Sequence, residues 1–204
     1  MAITNGYTSL NEYKKRFYDE GTGDTKDDAA IESVITAVSR EIDNITWDRF
    51  FTTAANETRY FTADHTDFLR LPNRIVSVNT LKTDHDGDRT YEQTWQTTDY
   101  DLMPYNASLD SEPYRWIQVT PNGDYNFPKG VDKGVEISGK FGWSTTPQPI
   151  VEACLLGAHR IMARRNSPLG VSGAAALGNL TLTVQKLRSD PDFMDLVSPY
   201  MMRY

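Results

Sequence analysis

Apolar residues in the first part of the chain recur at helical intervals. Leu10, Tyr13 and Phe17 share one stripe, and Ser9-Leu10-Asn11-Glu12 has the form of a capping box, so a short helix is predicted over residues 9–18. Gly21 and Gly23 end it. A second helix begins at Thr25 or Asp27, with acids in its first turn that suit the helix dipole. It carries Ile31, Val34, Ile35, Val38, Ile42 and Ile45, the strongest periodic signal in the chain.

Beyond Glu57 the period changes to short apolar or alternating runs broken by turn residues, which predict strands at 57–62, 68–71, 75–83, 91–96, 116–120 and 134–143. Asp84-His85-Asp86-Gly87-Asp88 holds an Asp-Gly hairpin signal, and Pro121-Asn122-Gly123-Asp124 is a second turn. Helical spacing returns after Pro147 and Pro149 with Ile150, Cys154, Leu155, Ala158, Ile161 and Met162, and should stop before Pro168. A Gly/Ala-rich loop over 169–178 and a short strand through Leu180, Leu182 and Val184 are expected next. The tail repeats the capping-box form at Ser189-Asp190-Pro191-Asp192, with Pro191 at the first helical position, Phe193, Leu196 and Val197 as the apolar side, and Pro199 as the stop. The predicted class is therefore α+β: a small helical bundle from both ends of the chain, with an inserted antiparallel β-sandwich or barrel-like region. Its parts are 1–56 (helical core), 57–146 (β insertion), 147–186 (third long helix and loop) and 187–204 (tail).

Composition narrows the class of function. Of 204 residues, 39% are apolar and 24% charged, and the mean hydropathy of -0.55 is that of a globular chain with a real core. No apolar run approaches the roughly 18 residues of a membrane span, and the charged Lys14-Lys15-Arg16 interrupts any secretory leader. The net charge of -7 argues against a protein whose main work is gripping phosphates; the clusters Lys14–Arg16 and Arg160/Arg164/Arg165 read as solvated helix faces. A single cysteine, Cys154, excludes an internal disulfide and suits synthesis in a reducing cytoplasm.

Candidate chemistry is sparse. Asp84, Asp86 and Asp88 alternate as in a calcium loop, but the sixth and twelfth positions hold Arg89 and Trp95 where such a loop needs Gly and Glu. Cys154 falls on an apolar helix face, a core position rather than that of a nucleophile. His65, His85 and His159 have no metal-ligand spacing, and neither Gly170-Val171-Ser172-Gly173 nor Leu177-Gly178-Asn179 completes a nucleophile elbow or a phosphate loop. No catalytic, metal or cofactor site is predicted. The stretch 84–101 sets six acids against one arginine, a solvated hairpin face or a surface that repels a polyanion.

The order of segments resembles a known family. The short helix is followed by Asp27-Asp28 and the run from Ala30 to Asp43, then Trp47-Asp48-Arg49-Phe50-Phe51 and Thr58-Arg59-Tyr60-Phe61. Later come Thr98-Asp99-Tyr100, Gly139-Lys140-Phe141-Gly142-Trp143, Ala163-Arg164-Arg165-Asn166-Ser167-Pro168-Leu169-Gly170, Asp190-Pro191-Asp192 and Pro199-Tyr200. Together these resemble the head-tail connector, or head-completion adaptor, proteins of tailed bacteriophages and related gene transfer particles. The resemblance implies a structural virion protein without catalytic residues or cofactor, made in the host bacterial cytoplasm. It further implies a ring, usually of twelve copies with subunit contacts made by the helical core, between the portal protein above and a stopper or tail-completion protein below. DNA would pass through that ring without specific binding, and no membrane is involved. It places the portal contact in the tail at Leu187, Phe193, Leu196, Val197, Tyr200, Met201 and Tyr204. Asp84, Asp86 and Asp88 are the candidate channel-facing acids. A helix as short as that of the tail needs a partner surface, so the tail is expected to be mobile until docked. The alternative is a carbohydrate-binding module or glycan-acting enzyme built on the β region, with Trp47, Trp95, Trp116 and Trp143 as a stacking platform.

Overall fold

The computed structural model describes residues 3–18, 25–165 and 187–202, and the expected loop at 169–178 and strand near Leu182 lie outside them. The chain divides into two compact units, a helical one made of Met1–Asp48 with Thr146–Tyr204 and a β one, Arg49–Thr145.

In the helical unit, α1 (Leu10–Phe17) starts at Ser9, whose hydroxyl accepts the Glu12 N–H while Glu12 reaches back to the Ser9 N–H, as the capping box requires. Helix α2 (Asp28–Thr46) turns Ile31, Ile35, Val38, Ile42 and Ile45 inward and ends at Trp47, which adopts the left-handed conformation at φ 59°. Helix α3 (Gln148–Arg164) begins just after Pro147 and buries Ile150, Cys154, Leu155 and Ala158. A side chain at Gly157 would place its Cβ 2.9 Å from Val38 Cγ1 and 3.3 Å from Phe193 Cε2, so the small residue is what lets α2, α3 and the tail approach. Helix α4 (Pro191–Val197) is capped by Asp190, which accepts the Phe193 N–H at 3.2 Å. The cap sits one residue later than the Ser189 box predicts, because Pro191 at the first helical position makes its predecessor the cap.

The β unit is a single open antiparallel sheet, not the closed barrel or two-layer sandwich that the regular spacing of turns predicts. Its strands are β1 (Glu57–Phe61), β2 (Phe68–Thr83), β3 (Gln93–Thr94), β4 (Tyr100–Met103), β5 (Tyr114–Val119) and β6 (Val135–Phe141). They lie in the order β1-β6-β2-β5-β4, with β3 pairing with the far end of β2. The two runs expected at 68–71 and 75–83 are one strand. Its register shifts between Arg70 and Ile75, across Pro72, and its main partner changes from β5 to β6. That exchange is where a residue without an N–H is tolerated. One strand, β4, has no counterpart in the pattern, since four residues interrupted by Asp101 leave no alternation to read. The core of the unit is Leu69, Leu71, Ile75, Leu81, Ile117, Val135, Ile137 and Phe141 with Trp95, Tyr100 and Phe127. Gly142, at φ 102°, is required by its neighbours: a Cβ there would lie 1.9 Å from the Phe51 carbonyl oxygen.

Candidate assembly surfaces

The tail does not wait for a partner to be packed. Phe193 and Val197 are wholly buried within the helical unit, and Gly157 of α3 leaves the space that the Phe193 ring occupies. Around this plug the tail is tied down by charge. Arg160 of α3 pairs with the buried Asp190 and with Asp192, and Arg188 meets Glu41 of α2 at 2.7 Å. The Met202 N–H donates to the Thr46 carbonyl at 2.9 Å. The expectation of a mobile free tail is thus corrected: the partner surface that a two-turn helix needs is supplied by α2 and α3 of the same chain. Leu187, Leu196, Tyr200 and Met201 remain half-exposed, and Tyr204 lies outside the described residues.

The cationic clusters keep exposed members, Lys15, Arg16 and Arg165, and several of their side chains also pair with neighbouring helices. Besides Arg160, Arg165 meets Asp27 at 2.8 Å, and Arg164 Nε donates to the Arg160 carbonyl. In α1, Lys14 pairs with Asp28 and Arg16 with Glu152. These partly exposed pairs link neighbouring helices, each with a modest contribution to stability.

At the β2–β3 hairpin the three candidate acids part company. Asp86 and Asp88 are exposed, whereas Asp84 is wholly buried. Its Oδ1 accepts the Gly87 N–H at 2.7 Å and its Oδ2 the Arg89 N–H at 2.9 Å, and Gly87 at φ 81° closes the turn. Asp84 therefore organises the loop and faces no channel. Carboxylate oxygens of the three acids lie within 4.8 Å of one another, and each is engaged by the turn itself, Asp86 accepting the Asp88 N–H at 3.2 Å and Asp88 the Thr90 N–H at 2.6 Å. Burial alone would raise the Asp84 pKa, but the N–H groups of Gly87 and Arg89 outweigh it and hold the carboxyl below its ordinary value of 3.8. A carboxyl depressed in the folded state stabilises the loop above its unfolded-state pKa, and the contribution is lost as pH falls through the folded value. Wild-type melting should therefore fall on acidification below pH 3.8, whereas Asp84→Asn should melt lower at neutral pH and show a flatter acid limb. Thermal melts of both proteins between neutral pH and pH 2 check this; parallel curves would exclude the role.

The remaining candidates are structural. Cys154 is wholly buried beside Ser39, its Sγ 3.4 Å from the hydroxyl, and burial pushes its thiol up to about 11. His159 stacks on Phe17 at 4.0 Å, His65 stacks on Phe68 at 4.1 Å, and His85 meets the Asn126 carbonyl at 3.1 Å. Among the described residues the only metal-like grouping of acids, histidines or cysteine is the hairpin trio. Trp95 and Trp143 are buried and Trp116 is half-buried, so the β unit offers no row of exposed indoles for a sugar. Trp47 stands 73% exposed in the helical unit. Sequence reasoning passed over Tyr105 and Leu109, 64% and 81% exposed in the β4–β5 loop, because apolar residues in a loop carry no periodic signal.

No protein-family profile matches the chain, and no curated protein does. Solved structures do. A chain in the neck of an empty GTA particle, computed with C6 symmetry, aligns with a TM-score of 0.57 and 21% identity over 100% of this chain and 94% of that one. A chain in the neck of the native GTA particle, computed with C12 symmetry, gives 0.55 and 20% over 100% and 93%. A chain in the virion of the native gene transfer agent particle gives 0.56 and 20% over 100% and 94%. The protein thus has, along its whole length, the fold of chains found in the neck of a gene transfer agent particle, in agreement with the head-tail connector resemblance of its sequence.

Proposed function

We propose that the protein is a structural neck component of a tailed particle: a head-tail adaptor that assembles as a ring, dodecameric in the virion, beneath the portal and above a stopper or tail-completion protein. The observation that carries this reading is the whole-chain likeness to neck chains in structures computed with C6 and C12 symmetry. Its role in this reading is mechanical. The tail meets the portal through the surface left after Phe193 and Val197 are used internally, which is Leu187, Leu196, Tyr200 and Met201. Microscopy of the protein mixed with the portal ring of its own particle tests the reading. A second ring of density capping the portal is expected, and DNA-filled heads that join tails normally in its absence would overturn it.

Within that ring, Asp86 and Asp88 rim the DNA channel. Acids there repel phosphates and keep the passing duplex from sticking, whereas lysines would hold it through counterion release. The double variant Asp86→Lys, Asp88→Lys should lose no more than about 1 kcal/mol per site, since both positions are exposed and each gives up one turn contact, the Asp88 N–H on Asp86 and the Thr90 N–H on Asp88. It should also slow DNA ejection; ejection at the normal rate would leave the hairpin a plain solvated turn.

A further inference from the structure

We infer that the β unit meets a second copy of this chain through its two opposite sheet edges, the β1 edge with Tyr60 on one side and the β4 edge with Tyr105 and Leu109 on the other. The inference deepens the ring reading above and rests on it. Among the described residues β1 pairs only with β6 and β4 only with β5, so each leaves one side of its backbone without a strand partner. Open edges of this kind are templates for another chain. The large apolar side chains that the β unit exposes are Tyr60 at 48%, Tyr105 at 64% and Leu109 at 81%, and all three flank these edges.

Both patches are held ready. Tyr60 leans on Tyr91 with ring centroids 5.8 Å apart, and the Tyr91 hydroxyl is fixed on the Lys133 carbonyl at 2.8 Å. The Tyr105–Leu109 loop is wound by N–H donations from Ala107 to Pro104 at 3.1 Å, Leu109 to Asn106 at 2.9 Å and Glu112 to Ala107 at 2.8 Å. Ala107, 3% exposed, pins it down. A preordered loop loses little conformational freedom on contact.

The occupant follows from placement, charge and area. A two-fold pair joins one patch to itself, whereas two different patches on opposite edges join head to tail, the geometry that closes into a ring. Four antiparallel steps separate β1 from β4, so they run in the same direction and a rotated copy presents β4 to β1 as a parallel neighbour. Exposed Lys129 and Lys133 stand beside the end of β1, bonded there through Ala63 and Thr62, while Asp101 and Asp110 flank the Tyr105 loop. Asp64 and Asp132 lie close to the lysines in the chain and keep the attraction modest. A tyrosine contributes at most roughly 150–250 Å², so a partly exposed Tyr105 with Leu109 falls short of the ~800 Å² per partner of a stable pair. The contact is therefore weak between two free copies and holds when every edge in a closed ring is satisfied.

Engineered cysteines test it, because native Cys154 is buried with its thiol pushed up to about 11 and does not compete. Concentrated Tyr60→Cys, Leu109→Cys double variant under mild oxidation should give a ladder of covalent multimers beyond the dimer, while each single variant gives none. Leu109→Asp should weaken self-association of the otherwise native chain about tenfold with melting unchanged. A double variant that yields no more product than the single ones, in a protein that still self-associates on sedimentation, would place the contact elsewhere and leave the ring reading standing. A wild-type chain that neither self-associates at any loading nor enters a portal-bound ring would overturn both.

Discussion

Removing residues 187–204 should lower the melting temperature of the protein by about 10–20 °C. Truncation empties the site of Phe193 and Val197 between α2 and α3 and strips Arg160 of Asp190 and Asp192. Loss of a buried Phe alone costs about 3–5 kcal/mol, and each kcal/mol is worth roughly 2–4 °C in a chain of this size. Phe193→Ala should reproduce a large part of the fall, whereas Leu196→Ala, half-exposed on the same helix, should shift melting by less than about 1 kcal/mol. Scanning calorimetry of the three proteins measures this. The pair also separates packing from docking: Leu196→Ala should weaken co-sedimentation with the portal while the fold is intact. A truncated chain that melts like wild type would mean that the tail contributes nothing at home.

The second large effect is expected at Ile35→Asp. Ile35 is 0% exposed on the inner face of α2, and its carbonyl already accepts the Ser39 hydroxyl at 2.8 Å. An aspartate at this wholly buried position is either buried charged or forced to protonate, at a cost of several kcal/mol. The expected result is a helical unit that fails to fold at neutral pH, read as lost α-helical dichroism, and that recovers part of its melting transition as pH falls and the carboxyl becomes neutral. Val38→Asp, 1% exposed, should behave alike. A variant that keeps wild-type melting but loses self-association would instead put this face of α2 against a neighbouring copy.

Legibility in the sequence followed the range of the interaction. Helix α2 is visible because five buried Ile and Val residues repeat at the helical period, and α1 because its capping box is a contact within four residues. Strand β4 and the unity of β2 across Pro72 are decided by partners distant in the chain, which no local alternation records. The α+β class emerged from the change of period, but an open sheet and a closed barrel present the same spacing of turns. At the candidate surfaces, Asp84 looked like its neighbours Asp86 and Asp88. Only the fold shows that its carboxylate is turned inward onto Gly87 and Arg89. The tail is ambiguous for the same reason: the apolar stripe of Phe193, Leu196 and Val197 announces a partner surface without saying whose.

The helical unit is assembled from two separated pieces of chain, Met1–Asp48 and Thr146–Tyr204, with the whole β unit between them. During synthesis, α1 and α2 emerge before the β unit and before the α3 against which α2 packs. Arg49–Thr145 emerges next as one continuous piece and is free to fold at once. At about 5–20 residues per second, α2 waits roughly 5–20 s for α3, and longer still for Phe193. The helical unit is therefore complete only once the chain has been made through Phe193. A copy cut short before α3 or α4 carries an exposed isoleucine face, which marks it for chaperones and proteases.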